Sequence, residues 1–417
     1  MEKRLEYGLI GAKLGHSFSP ELHRAIGGYA YGLVELAESE LAPFFRARAF
    51  RGVNVTIPYK SAVIPLLDEV SPEARRIGAV NTVVNRGGRL IGYNTDYDGM
   101  RYLLDRTGIA IAGQRVMILG SGGTSHTAAT LVRDLGAASV VRVSRQPAGA
   151  DVISYAEAAA RGAQTDVLLD TTSVGMYPNC LGEPVDLHDF PRLRGVVGAV
   201  YRPLRSALIE RARERGIPAA GGLAMLVAQG VRASELFLDT TYPQDVTGKL
   251  FSEIERAKSH LILIGMPGAG KSTVGARLAR RLRRPFYDTD AEIVRRAGCD
   301  IPTLFAERGE AYFRDLEAEV VREIAFENVG AVIATGGGVP LREENRMALR
   351  RTGRVLWLSR PLETIRPTAD RPLARDREAL AKRLAEREPV YRHTADDIIP
   401  VGRTPDQTVA TICEVLS

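Results

Sequence analysis

The residues Gly265-Met-Pro-Gly-Ala-Gly-Lys271-Ser272 fit the spacing G-x-x-x-x-G-K-[ST], a pattern whose chemistry is the holding of phosphate. Glycines let backbone N–H groups close on the anion, and the start of the next helix adds partial positive charge. Lys271 is then expected to reach the β- and γ-phosphates, and Ser272 a Mg2+ ion. Backbone of Gly268, Ala269 and Gly270, with Thr273 in the first helical turn, would complete the cradle. The apolar run 261–264 before it reads as a buried parallel strand, and Val274, Leu278 and Leu282 recur every four residues as one helix face. Strand, loop and helix form the context that such a cradle requires. The implied ligand is MgATP.

Downstream, Phe286-Tyr-Asp288-Thr-Asp290 sets two carboxylates at i, i+2, expected on one face of an extended segment beside the loop. Gly309-Glu-Ala-Tyr-Phe-Arg314 reads as a helix start. Ala331 to Gly338 reads as a strand running into three glycines, Asp370-Arg371-Pro-Leu373 follows an arginine- and proline-rich stretch, and Arg387-Glu-Pro-Val-Tyr391 comes last. The apolar strands at 332–334 and 355–358 end in glycine and Ser359, with no aspartate of Walker-B type. That argues against a motor or GTPase and for a small-molecule kinase.

A P-loop follows the first strand of its domain, yet some 260 residues precede this one, so the chain is a fusion. In the upstream part, Gly15-His-Ser17-Phe-Ser19-Pro stands at a strand-to-helix turn, where the two serines either cap the helix or aim hydroxyls at a carboxylate. Gly52-Val-Asn-Val-Thr56-Ile-Pro-Tyr-Lys60, Ala79-Val-Asn81-Thr-Val83 and Gly92-Tyr-Asn-Thr-Asp96 are expected as three strand ends carrying hydroxyls, amides and charges. Further on, a buried strand at 115–119 opens into Gly120-Ser121-Gly122-Gly123-Thr-Ser125, a dinucleotide-type turn with serine at its sixth position. The next strand ends in Ser144-Arg145-Gln146. An arginine there, in place of an acid that would accept from ribose hydroxyls, suits a 2′-phosphate and hence NADP(H).

In order and spacing, H-S-x-S-P, N-V-T-x-P-x-K, A-V-N-T and N-T-D resemble shikimate dehydrogenase, and the resemblance extends to about residue 250. It implies a catalytic dyad of Lys60 and Asp96, with Ser17, Ser19, Thr56, Asn81, Tyr201 and Gln229 holding the substrate. Asp170 stands where that family typically has asparagine, Gly198 where aspartate is common, and Thr127 where alanine is usual. F-x-D-x-D, G-E-x-x-F-R, T-G-G-G, D-R-P-L and R-x-P-x-Y resemble shikimate kinase. This implies Asp288 at the Mg2+, Asp290 as base, and Arg314 and Arg387 on the substrate carboxylate with Gly337 and Gly338 beside them. Arg371, with Arg366 as a second candidate, would reach the transferring phosphate from a lid. Together the two resemblances imply reduction of 3-dehydroshikimate with NADPH and phosphorylation of shikimate by ATP. A dehydrogenase that also takes quinate, and a metabolite-sensing regulator built from the same folds, are the competing readings.

The elements that must position these residues are those of three α/β domains. They are a substrate domain at 1–105 and 222–246, a Rossmann-like NADP domain at 106–221, and a P-loop domain of nucleoside-monophosphate-kinase type at 260–417. The connecting segment, 247–259, carries Leu250, Ile254 and Ala257 at helical spacing, unlike a Gly/Ser linker. Hydrophobic content of 45% and charged content of 25% are those of ordinary globular protein. A net charge of +6 without a basic tail points away from nucleic acid and toward small anions. Three scattered cysteines, no long apolar run and no leader-like N-terminus point to a reducing, cytoplasmic setting without disulfides or a membrane span.

Overall fold

A computed structural model describes residues 5–15, 17–149, 151–364 and 377–416. The chain forms two compact units, Met1–Tyr201 with Arg205–Glu255, and Arg202–Leu204 with Arg256–Ser417.

The first unit holds two six-stranded sheets. One has the order β2 (Gly32–Glu35), β1 (Tyr7–Gly11), β3 (Gly52–Val55), β5 (Thr82–Arg86), β6 (Arg89–Tyr93), β4 (Glu69–Val70). β1 pairs parallel to both neighbours, whereas β5 runs antiparallel to β3 and β6. The expectation that Ala79-Val-Asn81 ends a strand is corrected here. Asn81 lies just before β5, and the antiparallel register brings it to the end of β3, where the Val55 N–H donates to its carbonyl at 2.8 Å. Helices α1 (Ser19–Gly27), α2 (Glu38–Ala47) and α3 (Pro72–Ile77) flank this sheet in the chain. Phe45, Phe50, Val53, Val80 and Leu90 form part of one core on it.

The other sheet follows α4 (Asp96–Thr107) and is parallel throughout, in the order β12 (Ala219–Ala220), β11 (Gly195–Gly198), β10 (Val167–Asp170), β7 (Arg115–Leu119), β8 (Ser139–Val143), β9 (Val152–Ile153). Its inner strands read Val-Met-Ile-Leu and Val-Leu-Leu and are buried, as strands covered on both faces must be. Helices α5 (Gly123–Asp134), α6 (Tyr155–Arg161) and α7 (Ala207–Glu214) connect them. The chain then returns to the first sheet through α8 (Leu223–Leu238), which packs along α4 and α1. Phe237 of α8 packs on Tyr7 of β1, with ring centroids 5.5 Å apart, in a small core with Val84 and Ala233.

The connecting segment is indeed helical. α9 (Val246–Lys258) buries Leu250 and Phe251, and the Arg106 guanidinium lies over the Phe251 ring at 4.0 Å.

In the second unit five parallel strands take the order β14 (Phe286–Asp288), β15 (Val332–Ala334), β13 (His260–Ile264), β16 (Gly353–Ser359), β17 (Asp397–Pro400). The strand before the P-loop is thus central. His260 opens it fully buried, accepting from the Ala331 N–H at 3.0 Å, and burial holds its pKa down at about 4. Around the sheet run α10 (Lys271–Leu282), α11 (Thr289–Ala297), α12 (Ile301–Glu327), α13 (Glu343–Thr352), α14 (Arg377–Thr394) and α15 (Pro405–Leu416). α12 breaks at Gly309, so a new helical run begins at the Gly-Glu-x-x-Phe-Arg motif. Among the described residues no helix is long and apolar enough to cross a membrane.

Phe237 is the lever on which α8 is held to the first sheet. Phe237→Ala should destabilise the first unit by about 3–5 kcal/mol. The single tryptophan, Trp357, lies on β16. Urea unfolding followed by far-UV circular dichroism should therefore show an earlier transition, while tryptophan fluorescence, which reports the second unit, should not move.

Candidate active sites

In the first unit the decisive pair is Lys60 and Asp96. Lys60 follows β3 and its short turn, and Asp96 opens α4, where the positive helix end favours a carboxylate. Lys60 Nζ donates to Asp96 Oδ2 at 2.5 Å, with side-chain exposures of only 13% and 8%. Asn81 lies on the neighbouring strand start. Its Oδ1 accepts from the Thr95 N–H at 2.7 Å and its amide donates to the Thr95 hydroxyl at 3.1 Å, which braces the turn leading into Asp96. Asn54 continues this network, donating to the Thr82 hydroxyl at 2.9 Å. Gln229 of α8 is buried, donating its amide to the Leu226 carbonyl at 2.8 Å.

The N-cap position of α1 is Phe18, without a side-chain bond, and the Ser17 hydroxyl accepts from the Ser19 N–H at 3.2 Å at the start of the helix. The Ser17 hydroxyl also donates to that of Ser19 at 3.0 Å. Tyr201 packs its ring 5.3 Å from that of Phe18, the residue between them. Thr56 donates its N–H to the Ile10 carbonyl at 2.9 Å and so stands at the end of β1 and β3.

The second sheet contributes its glycine turn. β7 ends at Leu119, Gly122 is the N-cap of α5, and no side chain caps the first helical turn, an arrangement that suits an anion. The departure at Ser125 has a reason: its hydroxyl donates to the Gly120 carbonyl at 2.7 Å and ties the turn together. The Ser144 hydroxyl donates to Ser121 Oγ at 3.2 Å, joining the end of β8 to the turn, while Arg145 beside it is exposed and makes no hydrogen bond or ion pair among the described residues. Backbone amides, two hydroxyls and an uncommitted guanidinium suit a phosphorylated dinucleotide.

Asp170 ends β10 with Gly198 of β11 as its register partner. Its Oδ1 accepts from the N–H and hydroxyl of Thr172 at 2.9 and 2.7 Å, but its buried Oδ2 has no partner. Burial raises the carboxyl to about 6, against those two bonds.

In the second unit, Gly270 is the N-cap of α10 at φ 94°, a left-handed conformation that glycine adopts at no steric cost. Lys271 is buried, with Nζ donating to the carbonyls of Gly265 and Met266 at 2.8 and 3.0 Å, while Ser272 and Thr273 are exposed. The two carboxylates, Asp288 at the end of β14 and Asp290 after it, do not share an extended face. Asp288 caps α11, its Oδ1 accepting from the N–H groups of Asp290 and Ala291 at 3.0 and 3.3 Å, and Asp290 lies in the first helical turn. A short polar side chain at a helix start satisfies otherwise orphaned amides, and this wins over the strand.

The triple-glycine turn is where the remaining residues meet. A methyl group on Gly336 would lie 2.5 Å from Asp290 Oδ1, one on Gly337 2.8 Å from Pro267 Cδ, and one on Gly338 2.5 Å from Arg314 Nη1. Arg387 and the Tyr391 hydroxyl both donate to the Gly337 carbonyl, at 3.1 and 2.6 Å. Arg314 is held by Glu317 at 2.8 Å, a carboxyl that burial raises despite the arginine beside it. Sequence reasoning passed over Glu317, although its i, i+3 spacing from Arg314 signals a helical pair. It also passed over Arg360, which donates to the Gly268 carbonyl at 3.3 Å. Arg366 and Arg371 lie outside the described residues.

A shikimate dehydrogenase (NADP(+)) of Symbiobacterium thermophilum is 38% identical over 266 residues, covering 57% of this chain and 90% of the relative. The chain belongs to the shikimate dehydrogenase family. Residues 9–83 match the family model for the shikimate dehydrogenase substrate binding domain, and residues 267–417 match that for shikimate kinase, so a shikimate kinase domain follows the dehydrogenase part. The solved structure of shikimate dehydrogenase 1 from Peptoclostridium difficile matches with a TM-score of 0.57 at 33% identity, over 60% of this chain and 97% of that one. The Thermus thermophilus shikimate 5-dehydrogenase, solved in complex with NADP(H) and shikimate, matches with a TM-score of 0.54 at 30% identity, over 60% of this chain and 99% of that one.

Asp170 gives the dehydrogenase part a measurable pH signature. A carboxyl raised on folding weakens the native state once it ionises, so the deficit is full above its folded value and vanishes below its unfolded one. Asp170→Asn should therefore add about 1–3 kcal/mol near pH 8 and nearly nothing near pH 3. Urea midpoints measured across that range will show whether the gain fades as the pH falls.

Proposed function

We propose that the chain catalyses two consecutive reactions, NADPH-dependent reduction of 3-dehydroshikimate to shikimate and MgATP-dependent phosphorylation of the shikimate 3-hydroxyl. The observation that carries the first is the buried Lys60–Asp96 pair lying against the start of the dinucleotide helix. NADPH supplies the hydride. Lys60 delivers a proton to the ring oxygen as the carbonyl is reduced, and Asp96 keeps the ammonium oriented and accepts from the neighbouring substrate hydroxyl. Ser17, Ser19, Thr56, Asn81, Tyr201 and Gln229 hold the carboxylate and hydroxyls of the ring. Ser144 and Arg145 take the 2′-phosphate, and the amides of Gly120 to Gly123 take the pyrophosphate.

For the second reaction the support is the meeting of Asp290, Arg314 and Arg387 on the Gly336–Gly338 turn. Asp290 takes the proton of the attacking hydroxyl, and Arg314 and Arg387 fix the substrate carboxylate. The exposed Ser272 hydroxyl and the second oxygen of Asp288 are hard donors of the kind Mg2+ takes, with phosphates and water filling the other positions. Mg2+ supplies charge neutralisation on the phosphates. Lys271, freed from its carbonyls, stabilises the transferring group together with Arg371. The division into domains at 1–105 with 222–246, 106–221 and 260–417 is part of the same proposal.

Incubation of the protein with 3-dehydroshikimate, NADPH and MgATP, with mass identification of the product, tests both steps together. Lys60→Ala should lower NADPH oxidation by about a hundredfold or more and leave phosphorylation intact, and Asp290→Asn should do the reverse. Loss of both activities in either folded variant would sink the assignment of independent sites. Arg145→Ala should weaken NADPH by about ten- to a hundredfold while NADH changes little, because only NADPH carries the 2′-phosphate. Binding titrations with each nucleotide measure this, and equal losses would count against Arg145.

A further inference from the structure

Two threonines on one face of α5 reach the catalytic elements of the first sheet. Thr124 Oγ1 accepts from Lys60 Nζ at 3.2 Å. One turn later, the fully buried Thr127 hydroxyl accepts from the Asn94 amide at 3.2 Å. Asn94 in turn accepts from the Tyr97 N–H at 3.2 Å, in the first turn of the helix that carries Asp96. Each member of the Lys60–Asp96 pair is thus backed by one hydroxyl from the dinucleotide helix. The backbone permits this approach, since a methyl group on Gly123 would sit 3.2 Å from the Lys60 stem and 3.3 Å from Ala79 Cβ.

We propose that Thr124 is a positioning residue for Lys60, with Thr127 steadying the start of α4 under Asp96, so that the helix binding the nucleotide also aims the proton donor. The inference rests on the reading of Lys60 and Asp96 as the catalytic dyad. An ammonium has three N–H bonds. Asp96 takes one and Thr124 a second, which leaves the third directed by geometry at the substrate oxygen. Without the hydroxyl, Nζ swings about its bond to Asp96 and the proton is delivered from a wider range of directions. Because the residue next to Gly123 in the first turn of α5 supplies the constraint, proton donor and hydride donor are registered against the same few atoms of backbone.

The test is steady-state reduction of 3-dehydroshikimate by the full chain carrying Thr124→Val, Thr124→Ser or Thr127→Ala, with urea unfolding followed by far-UV circular dichroism as the control for folding of the first unit. Valine keeps the shape and loses the hydroxyl. Thr124→Val should lower kcat by about tenfold and change either KM by less than about twofold, the size expected for one hydrogen bond to a charged group. Its solvent deuterium isotope effect should rise, as proton delivery becomes slower than hydride transfer. Thr124→Ser should restore both, and Thr127→Ala should lower kcat in the same direction by a smaller factor. An unchanged kcat and isotope effect in Thr124→Val, or a serine variant no better than valine, would overturn the proposal. Lys60→Ala separates this failure from that of the underlying reading: if it retains reductase activity the dyad itself is wrong, whereas its inactivity beside a fully active Thr124→Val removes only the role given to Thr124.

Discussion

A charged side chain taken out of water needs a partner, and at each candidate site one such pairing is with an opposite charge. In the first it is Lys60 with Asp96, in the second Arg314 with Glu317. Neither member could be buried alone without a penalty of several kcal/mol. The surrounding elements follow from that requirement. Asp96 needs a helix start, so α4 must begin just after β6, and α8 packs along it. Glu317 needs to stand one turn beyond Arg314, so α12 must restart as a helix after Gly309. The turn at Gly336–Gly338 can then have no side chains, because Asp290, Pro267 and Arg314 occupy the space where they would go.

What could be read from the sequence was mostly what neighbours in the chain decide among themselves. The strand, loop and helix around Lys271 are contiguous, and their periodicity and glycines state the geometry directly. The same holds for the turn at Gly120 and for the helix at Leu250. The misreadings arose where a distant partner or a local competition decides. Asp288 and Asp290 alternate as strand residues would, yet the start of α11 intervenes and uses Asp288 as its cap. Asn81, just before β5, meets the end of β3 because β5 pairs antiparallel with β3, a register that no local pattern announces. Thr127 stood out only as a departure from alanine and nothing marked Thr124, since their partners, Asn94 and Lys60, lie 33 and 64 positions away.

The departures from the general dinucleotide turn and from the family pattern are not equivalent in physical terms. Ser125 and Thr127 replace small residues and find partners for their hydroxyls, at Gly120 and Asn94. Asp170 finds partners for one oxygen only, while its register partner is a glycine with no side chain to answer the other. A hydroxyl can donate or accept as its surroundings demand, and an ionised carboxylate can only accept. The first two substitutions are therefore absorbed by the fold, and the third leaves it sensitive to protons.

The scarcity of lysine has a practical side. Seven lysines stand against 49 arginines in the chain, and the two given parts in the proposed reactions, Lys60 and Lys271, are enclosed and hydrogen-bonded. Lys13, Lys249 and Lys382 are open to solvent. Amine-directed reagents, which attack only an accessible, unprotonated nitrogen, meet these outer groups first. Dyes, surfaces or affinity supports coupled through primary amines thus attach at a few defined points and leave both reaction centres unlabelled, a selectivity that a lysine-rich protein of the same fold would not offer.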